Sequence, residues 1–436
     1  MIARLLGEEL SGAVSVGTSQ VVSMGAAFGV TVLLARWLEP NAYGVYALVV
    51  ALLLWIGNFS EVGVFSAASR LLAHFDDETA RRAVIGACLM VAVGLFLLFD
   101  LLVAGVALFI DSIFAAQASH ALLYAAPVAG GLALETAVQY LCQGARRSAL
   151  LATRNLIARP LTLALVIGAH LMGSLTVAFA CWAFALGSTV SACAVFVRLR
   201  PTRRRLGEGW AAIRDEIRRA NDGAMYVGRL VGSSMFNIDR MLIAYFLTSA
   251  AVGYYALAFS LVAPITLGVQ SIAIAGYAKL ARSPEVPRNL LYASLGWLAA
   301  SGVLGYVLII VFVERFLPAY RPTLGIVLPA VLTAVALGVI ALFNQFLSAH
   351  GRGRTLRRIS FVFAIANLSL YFALIPLAGI KGGAYASLAT VMVPLAGVLI
   401  AYRRYRSTNE QSQPASTLPA RTAVARPSGR LDTGTS

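Results

Sequence analysis

Four polar side chains recur along one apolar stretch of the sequence, at a spacing that places them on one helical face. They are Arg229, Ser233, Asn237 and Arg240. In a helix that advances 100° per residue, they fall within an arc of about 80°. Two guanidinium forks suit the oxygens of a diphosphate, and an amide can hydrogen-bond sugar hydroxyls. The stripe predicts a cationic face turned toward a cavity. The alternative is a structural ion pair between Arg240 and Asp239.

The presence of other ionisable side chains within apolar stretches also requires an explanation, because inserting each of them into a membrane costs roughly 2.5–3.5 kcal/mol. Two further arginines are assigned to the cavity, Arg36 and Arg159. For Arg159, a plain position at the cytoplasmic end of a span is the alternative. The intramembrane acids are candidates for carrying a coupling ion or for pairing with an arginine, namely Glu61, Glu135 and Asp239, and also Asp100. A smaller polar cluster is expected to form hydrogen bonds between helices, and it comprises Asn344, Gln345 and Ser348.

Enzymatic and cofactor chemistry has little support in the sequence. No G-x-x-x-x-G-K-[ST] phosphate loop is present, so we expect no ATP hydrolysis by this chain. The four histidines are far apart in the sequence. The four cysteines fall within or at the end of apolar stretches, which predicts buried side chains rather than disulfides or a metal site. We therefore expect no catalytic residue, no metal and no cofactor.

The composition is that of a membrane protein. Of 436 residues, 59% are hydrophobic and only 12% are charged, which is too few charges for a water-exposed surface. Apolar stretches of about 20 residues, the length of a spanning helix, recur along the chain. We predict an all-α integral membrane protein with about twelve transmembrane helices. The predicted spans are 15–38, 43–64, 84–109, 119–143, 155–172, 175–197, 223–247, 252–278, 290–313, 323–349, 356–378 and 380–402.

The basic residues are distributed unevenly between the two ends of these spans. With the N-terminus inside, 29 of the 35 Lys and Arg residues fall in cytoplasmic segments and four fall outside. This asymmetry predicts that both termini are cytoplasmic. The net charge of +16 then follows from the topology and from attraction to anionic membrane lipids. We expect no nucleic-acid partner.

One short stretch occurs twice. The sequence ARWLEPNAYGVYAL at 35–48 and the sequence AYFLTSAAVGYYAL at 244–257 are identical at seven of fourteen positions. A second echo, at nearly the same offset, links VQYLCQGAR at 138–146 with NQFLSAHGR at 344–352. Both pairs lie at equivalent topological positions, which indicates a duplication. Because each half has six spans, the halves form a parallel repeat about an axis along the membrane normal.

The duplication also defines the predicted domain organisation. It comprises an N-terminal lobe over 1–197, a basic cytoplasmic linker over 198–222, a C-terminal lobe over 223–406 and a disordered cytoplasmic tail over 407–436. In the linker, Trp210, Ile213 and Ile217 share one face of an amphipathic helix, which we expect to lie on the membrane surface.

Four stretches spread over the chain carry a family resemblance. They are LLARWLEPNAYGVYAL at 33–48, FSEVGVFSAASRLLA at 59–73, NIDRMLIAYFLTSAAVGYYALAFSLVAP at 237–264 and IKGGAYASLATVMV at 380–393. They resemble the polysaccharide flippases, which translocate O-antigen and exopolysaccharide units in bacterial inner membranes. The resemblance extends along the whole chain, although the motifs are short and mostly apolar.

The resemblance implies two six-helix lobes around a central cavity lined largely by helices 1, 2, 7 and 8. The family pattern does not require Asp100. The resemblance also implies a transporter, not an enzyme, that works by alternating access. Its substrate would be an undecaprenyl-diphosphate-linked oligosaccharide, moved from the inner to the outer leaflet for lipopolysaccharide or exopolysaccharide synthesis. Expected partners are this lipid-linked oligosaccharide, a polysaccharide polymerase and a chain-length regulator. The alternatives are a peptidoglycan-precursor flippase or a multidrug exporter of the same superfamily. A membrane polysaccharide polymerase or ligase is a further alternative, but such enzymes carry a large outer loop, and the outer loops here have about ten residues or fewer.

Overall fold

A computed structural model of the chain describes residues 2–60, 63–75, 77–114, 117–145, 147–202, 205–220 and 237–412. These residues form α-helices and short 3-10 turns, and they include no strand. The helices before the gap at 221–236 are α1 (Ile2–Trp37), α2 (Pro40–Gly57), α3 (Val64–His74), α4 (Glu78–Ala107), α5 (Ile110–Phe114), α6 (Ser119–Ala129), α7 (Gly131–Gly144), α8 (Ser148–Leu171), α9 (Val177–Leu199) and α10 (Leu206–Ala220). Those after it are α11 (Ile238–Phe246), α12 (Ser249–Ala275), α13 (Tyr277–Arg282), α14 (Arg288–Phe316), α15 (Leu324–Ala349) and α16 (Gly353–Ser412).

The predicted all-helical membrane architecture is confirmed. Within the described residues, nine helical segments are long and apolar enough to cross a membrane, and the bent pair α6 and α7 makes a tenth if it counts as one span. Helix α16 is interrupted at Gly379, whose φ of 59° and ψ of −138° are not helical. The sequence predicts the turn between the last two spans at this position. The predicted span 223–247 lies mostly outside the described residues, so the total of twelve stays a prediction.

The fourth predicted span is broken into α6 and α7, which bend by 41° at Gly130. A break inside hydrocarbon is tolerated only where the freed backbone groups find partners within the protein. The Oδ1 atom of Asp100 accepts a hydrogen bond from the Gly130 N–H at 2.8 Å. The hydroxyl of Thr189 donates to the carbonyl oxygen of Val128, also at 2.8 Å. The intramembrane acid Asp100 therefore has a structural role, because it binds a backbone group at the break between α6 and α7.

The two halves of the chain meet where α2 packs against α12, the helices that carry the duplicated stretch. A Cβ on Gly44 would lie 1.6 Å from the carbonyl oxygen of Ser249, and a Cβ on Gly253 would lie 2.5 Å from that of Pro40. Gly253 and Ser249 are the repeat equivalents of Gly44 and Pro40. The contact is therefore reciprocal, as at a two-fold axis. It is termed the outer seal, because the sequence predicts that α2 and α12 both begin on the outer side of the membrane.

The predicted linker helix forms as α10, but part of its apolar face meets protein rather than lipid. Ile213 is fully buried in a core that it shares with α3 and α4. Arg70 on α3 also donates to Glu216 on α10 at 2.8 Å. Trp210 is 38% exposed. The expectation of a membrane-surface position is therefore wrong for Ile213, because an amphipathic pattern does not distinguish lipid from the apolar surface of neighbouring helices.

The prediction of a disordered tail is wrong for its first residues. Helix α16 continues to Ser412, so residues 407–412 are helical, whereas residues 413–436 lie outside the described residues. Near its end, Arg406 pairs with Glu285 at 2.8 Å. The hydroxyl of Tyr402 accepts a hydrogen bond from the Val286 N–H at 3.3 Å. These contacts fasten the last turns of α16 to the loop that follows α13.

The outer seal gives a direct test of the packing. Replacing Gly44 with alanine forces the new methyl group into the Ser249 carbonyl, so we expect a loss of about 1–3 kcal/mol in the free energy of unfolding. Gly25→Ala is the matched control, because no atom lies within 4 Å of a Cβ placed there. That change should be neutral or stabilising, since alanine favours helix. Thermal unfolding of both purified variants in detergent measures the difference. Equal midpoints would show that the halves do not depend on this contact.

Candidate functional site

A cavity lies between the two halves, next to the outer seal. Its walls come from α1, α2, α8, α9, α11 and α12, so both copies of the duplicated helix contribute. The lining residues are Ala27, Val30, Thr31, Tyr43, Tyr46, Ala47, Val50, Arg159, Thr162, Phe184, Arg240, Ala256 and Ser260. Two arginines and a set of hydroxyls form the polar part of this wall. It is termed the central cavity.

Arg159 enters the central cavity from the middle of α8. Its guanidinium carbon lies 4.1 Å from the centroid of the Phe184 ring, a contact that positions the group without neutralising its charge. Its Nη1 atom is buried and has no hydrogen-bond partner among the described residues. Arg159 therefore faces the cavity to which the sequence assigned it, with a donor left for a ligand.

Arg240 reaches the same cavity from the first turn of α11, on the second half of the chain. Within the described part of the chain, no carboxylate lies within 4.0 Å of its guanidinium nitrogens. The alternative of a structural ion pair with Asp239 is therefore wrong, although the two residues are neighbours. One residue along a helix turns the side chain by 100°. This rotation sends Asp239 into the second half and Arg240 into the cavity.

Hydroxyl groups from both halves accompany the two arginines. The hydroxyl of Tyr43 on α2 lies against the hydroxyls of Thr31 on α1 and Ser260 on α12. Tyr46, one turn further along α2, lines the same cavity. Hydroxyls can both donate and accept hydrogen bonds, so this side of the cavity suits a ligand with several oxygens. The repetition of Tyr46 was the available sequence signal, but repetition alone suggested a structural role.

The predicted polar stripe does not continue as one helix through Asn237. This residue has a φ of 72°, in the left-handed region, and α11 begins only after it. Asparagine tolerates that conformation better than most residues, and helical spacing gives no sign of it. The predicted arc is therefore wrong at Asn237, and Arg240 reaches the cavity from a helix that starts at Ile238. Arg229 and Ser233 lie outside the described residues.

Two other predicted site residues are not brought to the central cavity. Arg36 is exposed in the last turn of α1 and is not among the lining residues. The next residue, Trp37, stacks on His170 of α8 with 3.8 Å between the ring centroids, which fixes that end of α1 away from the cavity. Assigning Arg36 to the cavity is therefore not supported by its position. Glu61 lies outside the described residues.

Glu135 pairs with an arginine, which was one of its two predicted roles. Its carboxylate on α7 lies 3.5 Å from Arg154 on α8, and both side chains are largely buried. Arg154 also donates to Gln139 at 3.5 Å. These contacts tie the broken fourth span to α8. This ion pair gives Glu135 a structural role.

Asp239 is placed differently from Glu135. Its Oδ1 atom is buried and has no hydrogen-bond partner among the described residues. It interacts electrostatically with Tyr255 and Tyr371, whose hydroxyls lie 3.0 Å apart. Ser387 bonds to both hydroxyls and completes a buried polar cluster shared by α12 and α16. Within the described residues, Asp239 has no arginine partner of the kind that Glu135 has.

The central cavity is small in this conformation. Its volume is about 120 Å³, enough for a few water molecules and well below the few hundred Å³ of a typical ligand pocket. Separation of the halves is therefore needed before a large ligand can enter. No group of three His, Cys, Asp or Glu side chains suited to a metal ion occurs among the described residues.

Comparisons with known proteins agree with this architecture. A family model described as polysaccharide biosynthesis protein matches residues 10–277. The structure of lipid II flippase MurJ in an inward closed conformation aligns with a TM-score of 0.68 at 14% identity, over 90% of this chain and 87% of that chain. An inward-facing multidrug resistance MATE family transporter of the MOP superfamily aligns with a TM-score of 0.69 at 13% identity, over 92% of this chain and 100% of that chain.

A MOP superfamily transporter from Pyrococcus furiosus is also similar, with a TM-score of 0.51 at 12% identity, over 92% of this chain and 95% of that chain. No curated protein sequence matches the chain. At these identities the structural likeness establishes the fold, which is that of multi-pass membrane transporters.

The Glu135–Arg154 pair can be tested by a double-mutant cycle. Glu135→Gln and Arg154→Met should each lower the free energy of unfolding, because each leaves a partly buried partner unpaired. The double variant should lose less than the sum, with a coupling of about 1–2 kcal/mol. Unfolding in detergent with increasing denaturant measures all four proteins. Strict additivity, together with loss of gradient-driven transport in Glu135→Gln, would instead make Glu135 a coupling acid.

Proposed function

Because this chain belongs to the polysaccharide biosynthesis protein family and has the fold of membrane transporters, we propose that it flips a lipid-linked oligosaccharide. The substrate is an undecaprenyl-diphosphate-linked glycan, moved from the inner to the outer leaflet of a bacterial inner membrane with both termini cytoplasmic. It serves lipopolysaccharide or exopolysaccharide synthesis, and the protein makes and breaks no bond in the glycan. The observation that carries the proposal is the pair of arginines, Arg159 and Arg240, that face one cavity without a carboxylate partner among the described residues.

A diphosphate is the substrate group that best accounts for these arginines. Each charge within a span is costly, and Glu135 illustrates the usual solution, an ion pair with Arg154. Arg159 and Arg240 have no such partner among the described residues, so an arriving anion would neutralise their charges. A diphosphate in hydrocarbon needs fixed cations in place of its hydration shell. The arginines require an anion and the diphosphate requires cations. The cost of placing each of these charges in hydrocarbon is therefore offset only when the two bind each other.

The electrostatics argue against an exporter of cationic drugs. A cavity for cations would place acids in the wall, whereas the ionisable side chains lining the central cavity are two arginines and two tyrosines. A peptidoglycan-precursor flippase would also handle a lipid diphosphate, so the arginines alone do not distinguish the two substrates. The family match favours the polysaccharide intermediate.

Transport requires the cavity to open alternately to the two sides of the membrane. In the conformation described, Gly44 and Gly253 bring the predicted outer ends of α2 and α12 into backbone contact. Rocking of one half against the other would break this seal and enlarge the cavity. At these two glycines the backbones of the halves meet directly.

We assign ion coupling to Asp239. Its Oδ1 atom is buried and has no hydrogen-bond partner among the described residues, and the residue lies on α11, which also frames the cavity. Its charge acts on Tyr255 and Tyr371, whose hydroxyls are bridged by Ser387. Binding of a proton or a cation at Asp239 removes a buried negative charge one residue away from Arg240. That change alters the field at the diphosphate site and provides a physical link between the ion and the substrate.

The other proposed partners are anionic lipids and two proteins of polysaccharide synthesis. Arg-rich segments at the predicted cytoplasmic ends of the helices suit the anionic lipids of the inner leaflet. A flipped repeat unit is consumed by polymerisation on the outer side, so a polysaccharide polymerase and a chain-length regulator are the protein partners we propose.

The arginines give the main test of this function. Arg159→Ala combined with Arg240→Ala should abolish glycan export in a deletion strain, while the protein still inserts, because removing an arginine lowers the insertion cost. The double lysine variant should retain part of the activity, since it keeps the charge but loses the bidentate fork. Arg315→Ala, at an exposed position in α14, is the matched control and should export normally. Normal export by the double alanine variant at matched protein level would exclude the proposed site.

Asp239→Asn tests the coupling assignment. In proteoliposomes, a proton or sodium gradient should accelerate translocation by the wild-type protein and should have no effect on the variant, which cannot change its charge. Substrate binding should persist, because Asn is close in size and the arginines are intact. Asp215→Asn, an exposed position on α10, controls for a general effect of a lost acid. A variant at Asp239 that still responds to the gradient would place the coupling elsewhere.

A further inference from the structure

A second, larger cavity lies entirely within the second half of the chain. It has a volume of about 360 Å³ and is bounded by the last turns of α15, the first turns of α16 and Pro394 further along α16. The sequence places the junction of α15 and α16 on the cytoplasmic side. The volume falls within the range of ligand pockets, which begins near 300 Å³. It is termed the second-half cavity.

Four polar side chains line this cavity, and they are Asn344, Gln345, Ser348 and Ser360. Within the described residues none of their side chains makes a hydrogen bond. The expectation that the cluster at 344–348 joins helices by hydrogen bonds is therefore wrong for the described part of the chain. The two amides are half-buried and the two hydroxyls are exposed, so all four groups are open to a ligand that enters the cavity.

The chemistry of the wall defines the class of ligand. None of the lining residues is ionisable, so the wall offers a charged group no counter-charge. Amides and hydroxyls donate and accept hydrogen bonds, whereas the rest of the wall is the Phe363 ring and aliphatic side chains. A sugar ring presents the matching surfaces, with hydroxyls along its edge and C–H groups on its faces. A purely apolar chain would leave the amides without partners.

We propose that the second-half cavity binds one or two sugar residues of the glycan on the cytoplasmic side, before the substrate crosses the membrane. This assignment rests on the proposed function, because it takes the ligand to be the glycan end of the same lipid. It separates two tasks in the molecule. The arginines of the central cavity recognise the diphosphate common to all such lipids, whereas Asn344, Gln345, Ser348 and Ser360 distinguish the sugar.

Protection of a single cysteine tests the proposal. Ser360→Cys is made in a chain whose native cysteines, Cys88, Cys142, Cys181 and Cys193, are replaced with alanine. The rate of maleimide labelling in nanodiscs is then compared with three probes: free N-acetylglucosamine or galactose, a polyprenyl-diphosphate oligosaccharide, and polyprenyl diphosphate without sugar. Ser271→Cys is the control, since Ser271 is exposed on α12 and bonds only to its own helix, at Leu267.

The oligosaccharide lipid, and at least one free sugar at high concentration, should slow labelling of Ser360→Cys. Two-thirds occupancy would slow it about threefold by mass action. The sugarless lipid should have no effect, and Ser271→Cys should be insensitive to all three probes. Adding Asn344→Ala and Gln345→Ala should restore fast labelling in the presence of sugar. If this triple variant does not fold, the labelling rates of Ser360→Cys with the three probes are sufficient to test the proposal.

Equal protection by the sugarless lipid would make the cavity a site for the lipid chain and would overturn the proposal, as would no protection by any probe. A free sugar carries no diphosphate, so its effect does not depend on Arg159 or Arg240. Protection by sugar combined with normal export by the arginine variants would refute the proposed diphosphate site and leave the sugar site standing. Loss of sugar protection combined with arginine-dependent export would refute the sugar site and leave the proposed diphosphate site standing.

Discussion

The structure depends on one constraint, that every charge placed in hydrocarbon must be neutralised or hydrogen-bonded. The chain meets it in different ways at different positions. Glu135 and Arg154 neutralise each other, and Asp100 accepts the backbone N–H that a broken helix leaves free. The described chain supplies no such partner for Arg159, Arg240 or the Oδ1 atom of Asp239. Arg159 and Arg240 line the central cavity and Asp239 precedes Arg240 in the chain, whereas Glu135, Arg154 and Asp100 do not line it.

The duplication explains the scaffold, and divergence between its copies explains the site. Gly44 and Gly253 keep equivalent roles, since each receives the backbone of the other half. Tyr46 and Tyr255 occupy equivalent positions in the repeat but differ in environment. Tyr46 lines the central cavity, whereas Tyr255 is buried among hydroxyls near Asp239. Equivalent positions of the repeat thus face the central cavity on one half and a buried polar cluster on the other.

The sequence predicted features that depend on composition and repetition, and it failed where a conformation or a partner was decisive. Apolar length predicted most spans, and the repeated stretch predicted the helices that meet at the outer seal. Helical spacing predicted a face through Asn237, but the left-handed conformation of that residue ends the regular spacing. Amphipathic pattern predicted a membrane surface for Ile213, yet α3 and α4 bury it. Likewise, the type of residue could not reveal that Asn344 and Gln345 would line a cavity rather than bond to a neighbouring helix.

The central claim is that Arg159 and Arg240 together hold the diphosphate of the lipid-linked glycan. A cryo-electron microscopy structure of the protein in nanodiscs with a polyprenyl-diphosphate oligosaccharide bound tests it most directly. The account predicts phosphate density between the two guanidinium groups, at hydrogen-bond distances of about 2.7–3.2 Å from both, in a central cavity wider than the one described. Diphosphate density elsewhere in the molecule, with both arginines free of it, would contradict the account.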